Sequence, residues 1–229
     1  MTRILAIETV GRTGSIALAE NERLVVQHVL SSEQRMTQNL APGIRDLLAA
    51  NGWQPGEVEL VAVAIGPGSF TGLRCGVTTA KVLAYATGAD VVGIDALAAL
   101  AQQAPEDCQQ LETVLDAQRK QLFAATHGRD EDGLMQLRGA TEIVDAEAWL
   151  ASLKPGQVVA GPVLDKLKPR LPEGVVALPE QYWHPRAAGV AALAWRRYQA
   201  GQRDDVWQLV PDYVRPSAAE EKRSGAIPG

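Results

Sequence analysis

The stretch "VELVAVAIGPGSFTGLRCG", Val58 to Gly76, decides how the chain is read. An apolar run with the character of a buried strand passes into four glycines and a proline within Gly66 to Gly76, and apolar periodicity then resumes at helical spacing. A glycine loop between strand and helix commonly holds phosphate, because backbone N–H groups point out of the helix N-terminus and that end attracts negative charge. The stretch is not a P-loop, which needs Gly-Lys-Ser/Thr after the glycines. It also follows the fourth strand of its unit and so does not open a dinucleotide-binding βαβ unit. Two readings stand side by side. One is a generic anion site contacted by Gly66, Gly68, Ser69, Thr71 and Gly72; the other is a tight turn in which Ser69 or Thr71 caps the helix and nothing binds.

Working outward, "RILAI", "GSIALAE" and "RLVVQHVL" read as strands and "SEQRMTQNLAPGIRDLLAANG" as a helix. The strand and helix of the opening stretch follow, then a strand "VVGI" and a helix "DALAALAQQA". The order is βββαβαβα. After Pro105 a similar order begins again, from "LETVLDA", "QLFAATH" and "GLMQLRG" as strands to a last helix in "PRAAGVAALAWRRYQAG". The reading is an α/β chain of two tandem ribonuclease-H-like subdomains, 1–105 and 106–215, with 216–229 as a mobile tail. This is the plan of the actin, sugar-kinase and heat-shock-protein superfamily, the ASKHA fold, whose working members hold a nucleotide between two glycine-bearing hairpins. In the first hairpin, "AIETVGRTGSIAL", Glu8 ends a strand and Gly11 and Gly14 lie in the turn. The second, "DAQRKQLFAA", has no glycine, and side chains the size of Gln118, Arg119 and Lys120 keep a backbone from wrapping a phosphate. Half of a kinase-type site is therefore expected to be absent.

Composition narrows the function classes. The 229 residues are 46% hydrophobic, enough for a large core, and the formal charge of −5 argues against a surface that alone neutralises many nucleic-acid phosphates. No apolar run approaches the ~20 residues of a membrane span, and "MTRILAIETV" does not read as a secretion signal, so a soluble, cytoplasmic protein is expected. The histidines, His28, His127 and His184, are scattered, which predicts no metal site. "GPGSFTG" is not a G-x-S-x-G nucleophile elbow, no histidine is placed to activate Ser69, and Cys75 reads as a packed thiol, so no catalytic residue is assigned.

"ILAIETV", "GPGSFTGLRCG" and "PDYVRPSAAE", in this order and spacing, resemble the bacterial TsaB (YeaZ) family over nearly the whole chain. That resemblance implies a part in making threonylcarbamoyladenosine beside the tRNA anticodon. The implied role is a non-catalytic scaffold and activator that pairs with a TsaD-like catalytic subunit and is joined by a TsaE-like ATPase. It meets tRNA only through the complex, and a homodimer forms when it is alone. No cofactor is implied for the chain itself; ATP or ADP could sit at the interface with the partner, with Glu8 among the contacts. The chain departs from the family pattern at Glu8, where Asp is usual, at Met36, where His is common, and at Lys81 and Val82 within "AKVLA". The alternative is a nucleotide-dependent phosphotransferase of the same superfamily.

Helix geometry suggests where the partner sits. At about 100° per residue, Arg74, Thr78, Lys81 and Tyr85 share a polar stripe, while Leu73, Val77, Ala80 and Ala84 line one apolar face and Cys75, Val82 and Ala86 the opposite side. The preceding helix carries its own stripe of Met36, Leu40, Ile44, Leu47 and Leu48. The two helices either cover each other or form half of a four-helix contact. The second reading places Met36, Leu40, Ile44, Leu47, Phe70, Leu73, Arg74, Val77, Ala80, Lys81 and Ala84 at the partner interface.

Overall fold

The computed structural model describes residues 1–11, 13–31 and 36–214. Residues 216–229, read as a mobile tail, and Arg215 of the C-terminal motif lie outside the described residues.

The first half is built as its sequence order predicts. Strands β1 (Arg3–Glu8), β2 (Ser15–Glu20), β3 (Arg23–Val29), β4 (Leu60–Gly66) and β5 (Asp90–Asp95) form one sheet in the order β3-β2-β1-β4-β5. The two hairpin pairs are antiparallel, and β4 lies parallel between β1 and β5. Period-two alternation divides the buried strands between two cores. Leu5, Ile7, Val61 and Val63 face helices α1 (Met36–Ala50) and α2 (Phe70–Thr87), whereas Ile4, Ala6, Ala62 and Ala64 face the other side.

That other side is covered by α3 (Ala96–Ala101) and by α6 (Ala187–Gln199), a helix from the far end of the chain. Small residues make the approach possible. Ala6, Ala62 and Ala64 on the sheet meet Ala187, Val190, Ala191 and Ala194, and any Cβ on Gly189 would run into the Ala99 carbonyl of α3. The sequence order assigns α6 to the second half; in space it packs on the first sheet.

The second sheet runs β11 (Val176–Ala177), β10 (Val158–Ala160), β6 (Gln110–Asp116), β7 (Gln121–Arg129) and β8 (Met135–Leu137). A further strand, β9 (Glu142–Asp145), which the sequence reading missed, pairs with the opposite end of β7 from β8. The third strand of this unit is thus split in two, interrupted by a loop in which Gly139 takes φ 98°. Helices α4 (Ala146–Ser152) and α5 (Leu164–Leu167) complete the half, with Trp149, Leu150 and Leu164 in its core. Both sheets keep the ribonuclease-H-like plan, and the fold is the two-subdomain α/β architecture expected from the sequence.

Candidate functional site

The glycine motif sits where the first hairpin, the head of α2 and the C-terminal strap, residues 203–214, converge. Ser69, and not Thr71, is the N-cap of α2: its Oγ accepts from the Gly72 N–H at 3.3 Å. The Ser69 N–H donates to the Val10 carbonyl at 3.1 Å, and the Val10 N–H donates to Glu8 Oε1 at 2.5 Å, so Glu8 and the loop are linked through the turn between β1 and β2.

The space that glycine leaves is taken up by the chain itself. A Cβ on Gly72 would be driven into the Thr9 carbonyl oxygen, and one on Gly68 into the Val10 side chain. Thr9, fully buried, donates its hydroxyl to the Gly72 carbonyl at 2.8 Å. On the outer side of the loop, the Asp212 N–H donates to the Ile65 carbonyl at 2.7 Å, and the Asp212 carbonyl lies against Gly66. The glycines therefore let three stretches of backbone meet.

Glu8 is buried at this junction. Burial lifts its carboxyl to about 7, against the lowering effect of the Val10 N–H, the Arg186 charge, the Gly11 backbone and the Ser15 hydroxyl. Ser15 Oγ lies 3.4 Å from Glu8 Oε2 and accepts from the Ala187 N–H at the head of α6. Arg186 has a buried Nη1 without a hydrogen-bond partner. On the far side of the loop, burial lifts the Asp95 carboxyl to about 6, the nearby Asp212 charge adds to the rise, and the Ala98 and Leu97 N–H groups oppose it.

Glu8 gives the folded state a pH dependence of known sign. Its folded pKa lies above the unfolded value near 4.5, so its contribution is fully present below that value and is lost as pH rises through about 7. Between pH 5 and 8 this loss is about 3 kcal/mol. Glu8→Gln should remove that slope, leaving the variant nearly level with the native chain at pH 5 and more stable than it at pH 8 in thermal melts. Equal slopes in the two proteins would clear Glu8 of the effect. His127 works in the opposite direction. Burial holds its imidazole down at about 4, and its share of stability is lost as pH falls from about 6.5 through 4.

The residues assigned to a partner interface divide into two groups. Leu73, Val77, Ala80 and Ala84 on α2, and Leu40, Ile44 and Leu47 on α1, are buried within the chain. Val77, Ala80, Ala84 and the α1 residues share a core with Leu5 and Ile7, and Leu73 belongs to the other core, with Ala64 and Ala96. They cannot meet a partner, because α1 and α2 press these faces onto their own sheet. Met36 and Phe70 are half-buried and Arg74 is exposed.

Lys81 does not face outward either. Its Nζ donates to the carbonyls of Trp207 at 3.1 Å and Leu209 at 3.0 Å, holding the strap along α2. Arg74 donates from Nε to the Tyr213 hydroxyl at 2.9 Å and lies 3.9 Å over the Phe70 ring, which stacks on Tyr213 at 5.0 Å. Tyr85 meets Trp207 edge-on at 5.2 Å. Sequence reasoning singled out the strap's "PDYVR" only as a motif. Its partners on α2 lie more than 120 residues away, and no local signal joins them.

Four large apolar side chains stay outward on this side of the molecule, beside polar ones such as Arg74, Asp205 and Gln208. Val82 and Tyr85 on α2 are 61% and 69% exposed, and Trp207 and Val210 on the strap are 66% and 62% exposed. Patches of this kind mark protein contacts. Among the described residues no three His, Cys, Asp or Glu side chains gather to hold a metal, and no helix is long and apolar enough to cross a membrane.

Residues 29–184 match the family model of TsaD, tRNA N6-adenosine threonylcarbamoyltransferase. The chain is 29% identical to the tRNA threonylcarbamoyladenosine biosynthesis protein TsaB of Bacillus subtilis, over 96% of each chain. It is 27% identical to TsaB of Escherichia coli, over 97% of this chain and 99% of that one. The solved structure of YeaZ from Pseudomonas aeruginosa is similar at a TM-score of 0.81 and 27% identity, covering 93% of this chain and 100% of that one. With a family model spanning more than half of it and full-length likeness in sequence and fold, the chain belongs to the TsaD-related family and, within it, to the TsaB (YeaZ) proteins of tRNA threonylcarbamoyladenosine biosynthesis.

Proposed function

We propose that the chain is a non-catalytic scaffold and activator in threonylcarbamoyladenosine synthesis. It docks on a TsaD-like catalytic subunit, works with a TsaE-like ATPase, meets tRNA only through the complex, and pairs with a second copy when alone. The observation that carries the reading is the second hairpin. Gln118, Arg119 and Lys120 take φ of 65°, 53° and 62°, left-handed backbone that glycine normally supplies, yet each carries a large side chain. The turn is closed upon itself: Asp116 Oδ1 accepts from the Gln118 N–H at 2.7 Å, and the Ala117 N–H donates to the Gln121 carbonyl at 2.9 Å. A superfamily phosphotransferase needs a glycine cradle on both sides of its nucleotide. Here one hairpin carries three large side chains where glycines are needed, and the glycines of the loop are taken up by packing. Any ATP or ADP then sits at the interface with the partner rather than inside this chain.

The docking surface is the outward side of α2, from Arg74 and Phe70 to Val82 and Tyr85. Purified chain, alone and mixed with the catalytic subunit, should be assayed for ATP turnover and weighed by native mass spectrometry. The expected result is no turnover by the chain alone, a one-to-one complex in the mixture, and tRNA modification only when both are present. Turnover by the isolated chain would overturn the reading in favour of the phosphotransferase.

A further inference from the structure

We infer that the C-terminal strap forms half of the docking surface, and that Lys81 is the positioning residue that makes it do so. The inference rests on the reading of α2 as the face that receives a TsaD-like subunit. Exposed Val82 and Tyr85 on the helix are continued by Trp207, packed edge-on against Tyr85, and by Val210, the residue after a carbonyl that Lys81 holds. The strap is pinned on either side of this stretch. At its start the Gly93 N–H donates to Asp204 Oδ2 at 2.7 Å; at its end the Asp212 N–H donates to Ile65 and Tyr213 accepts from Arg74. Lys81 alone, among the hydrogen bonds described, joins α2 to the middle, where Trp207 and Val210 lie. An ammonium between two carbonyls makes charge-assisted bonds, and these add to the burial of Leu209 in the core under α2 in holding a short irregular segment.

The occupant argued for is the TsaD-like subunit. The stretch shared with the TsaD family model runs from residue 29 to 184, so it includes α1 and α2 and stops before the strap. A TsaD-like subunit therefore carries a related helix pair to set against α2 and the Trp207 and Val210 ridge beside it.

Lys81→Met keeps the stem that packs on α2 and removes the donors. The full chain should stay folded, with deuterium exchange rising in residues 206–210 and affinity for the catalytic subunit falling on the order of tenfold, because two side chains must then be ordered on binding. Lys81→Arg, which retains donors, should restore both. Trp207→Ala, at an exposed site, is the second variant should Lys81→Met fold poorly, and it too should weaken association. Val82→Glu separates the two levels of the argument. Should Val82→Glu abolish binding while Lys81→Met and Trp207→Ala leave it unchanged, the α2 reading stands and the strap inference falls. Should none of the three weaken binding, both fall. Unchanged exchange in Lys81→Met also overturns the role given to Lys81.

Discussion

Val77→Arg is expected to destabilise the chain's own fold strongly, and not merely to free it from a partner. Val77 is 2% exposed, in a core with Leu5, Ile7, Leu40 and Ile44 on the sheet side of α2. A guanidinium there has no carboxylate to pair with in that apolar cluster, and burying it unpaired costs several kcal/mol. Set against a total stability of about 5–15 kcal/mol for a domain, this removes most of the margin. A loss of about 4 kcal/mol lowers Tm by about 8–16 °C in a chain of this size. Val82→Arg, five residues along on another face of the helix and 61% exposed, should stay within about 0.5 kcal/mol of the native chain. Thermal melts followed by circular dichroism distinguish the two. Were Val77→Arg as stable as Val82→Arg, α2 would be oriented differently from the structure described.

That contrast marks how far the sequence carries. The helix period of α2 was legible, as were its two apolar faces, since residues three and four apart fall on one side whatever lies opposite. Which neighbour covers each face was not legible, because that is a property of the whole chain. The face of Leu73, Val77, Ala80 and Ala84 is closed by the chain's own core. The polar stripe of Arg74 and Lys81, assigned from sequence to the partner interface, is tied to the strap. α6 shows the same limit: element order assigns it to the second half, but only the fold reveals that the surface it meets is the first sheet. The βββαβαβα order survived because each element is specified locally; the split into β8 and β9 was hidden because their pairing with β7 is not.

Gly72→Ala decides what the glycine motif is for. Alanine is favoured over glycine within a helix by about 1 kcal/mol, so in open space the change would stabilise α2. Gly56 provides the control, since nothing lies within 4 Å of a Cβ built there, and Gly56→Ala should be neutral or slightly favourable. At Gly72 the new methyl meets the Thr9 carbonyl oxygen, part of a backbone that cannot swing aside like the end of a side chain. To make room, α2 must move off the β1–β2 turn. That movement stretches the Thr9 hydroxyl bond to Gly72 and the Ser69 bond to Val10. Overpacking costs about 1–3 kcal/mol or more and each strained bond about 1 kcal/mol, which together exceed the propensity gain. The expected result is a net loss of about 3 kcal/mol, read as a fall in Tm of about 6–12 °C, with no dependence on added nucleotide or phosphate. A variant with native Tm and a weakened response to ATP would instead return the loop to the anion-site reading, because the methyl would then be blocking a ligand and not the chain's own backbone.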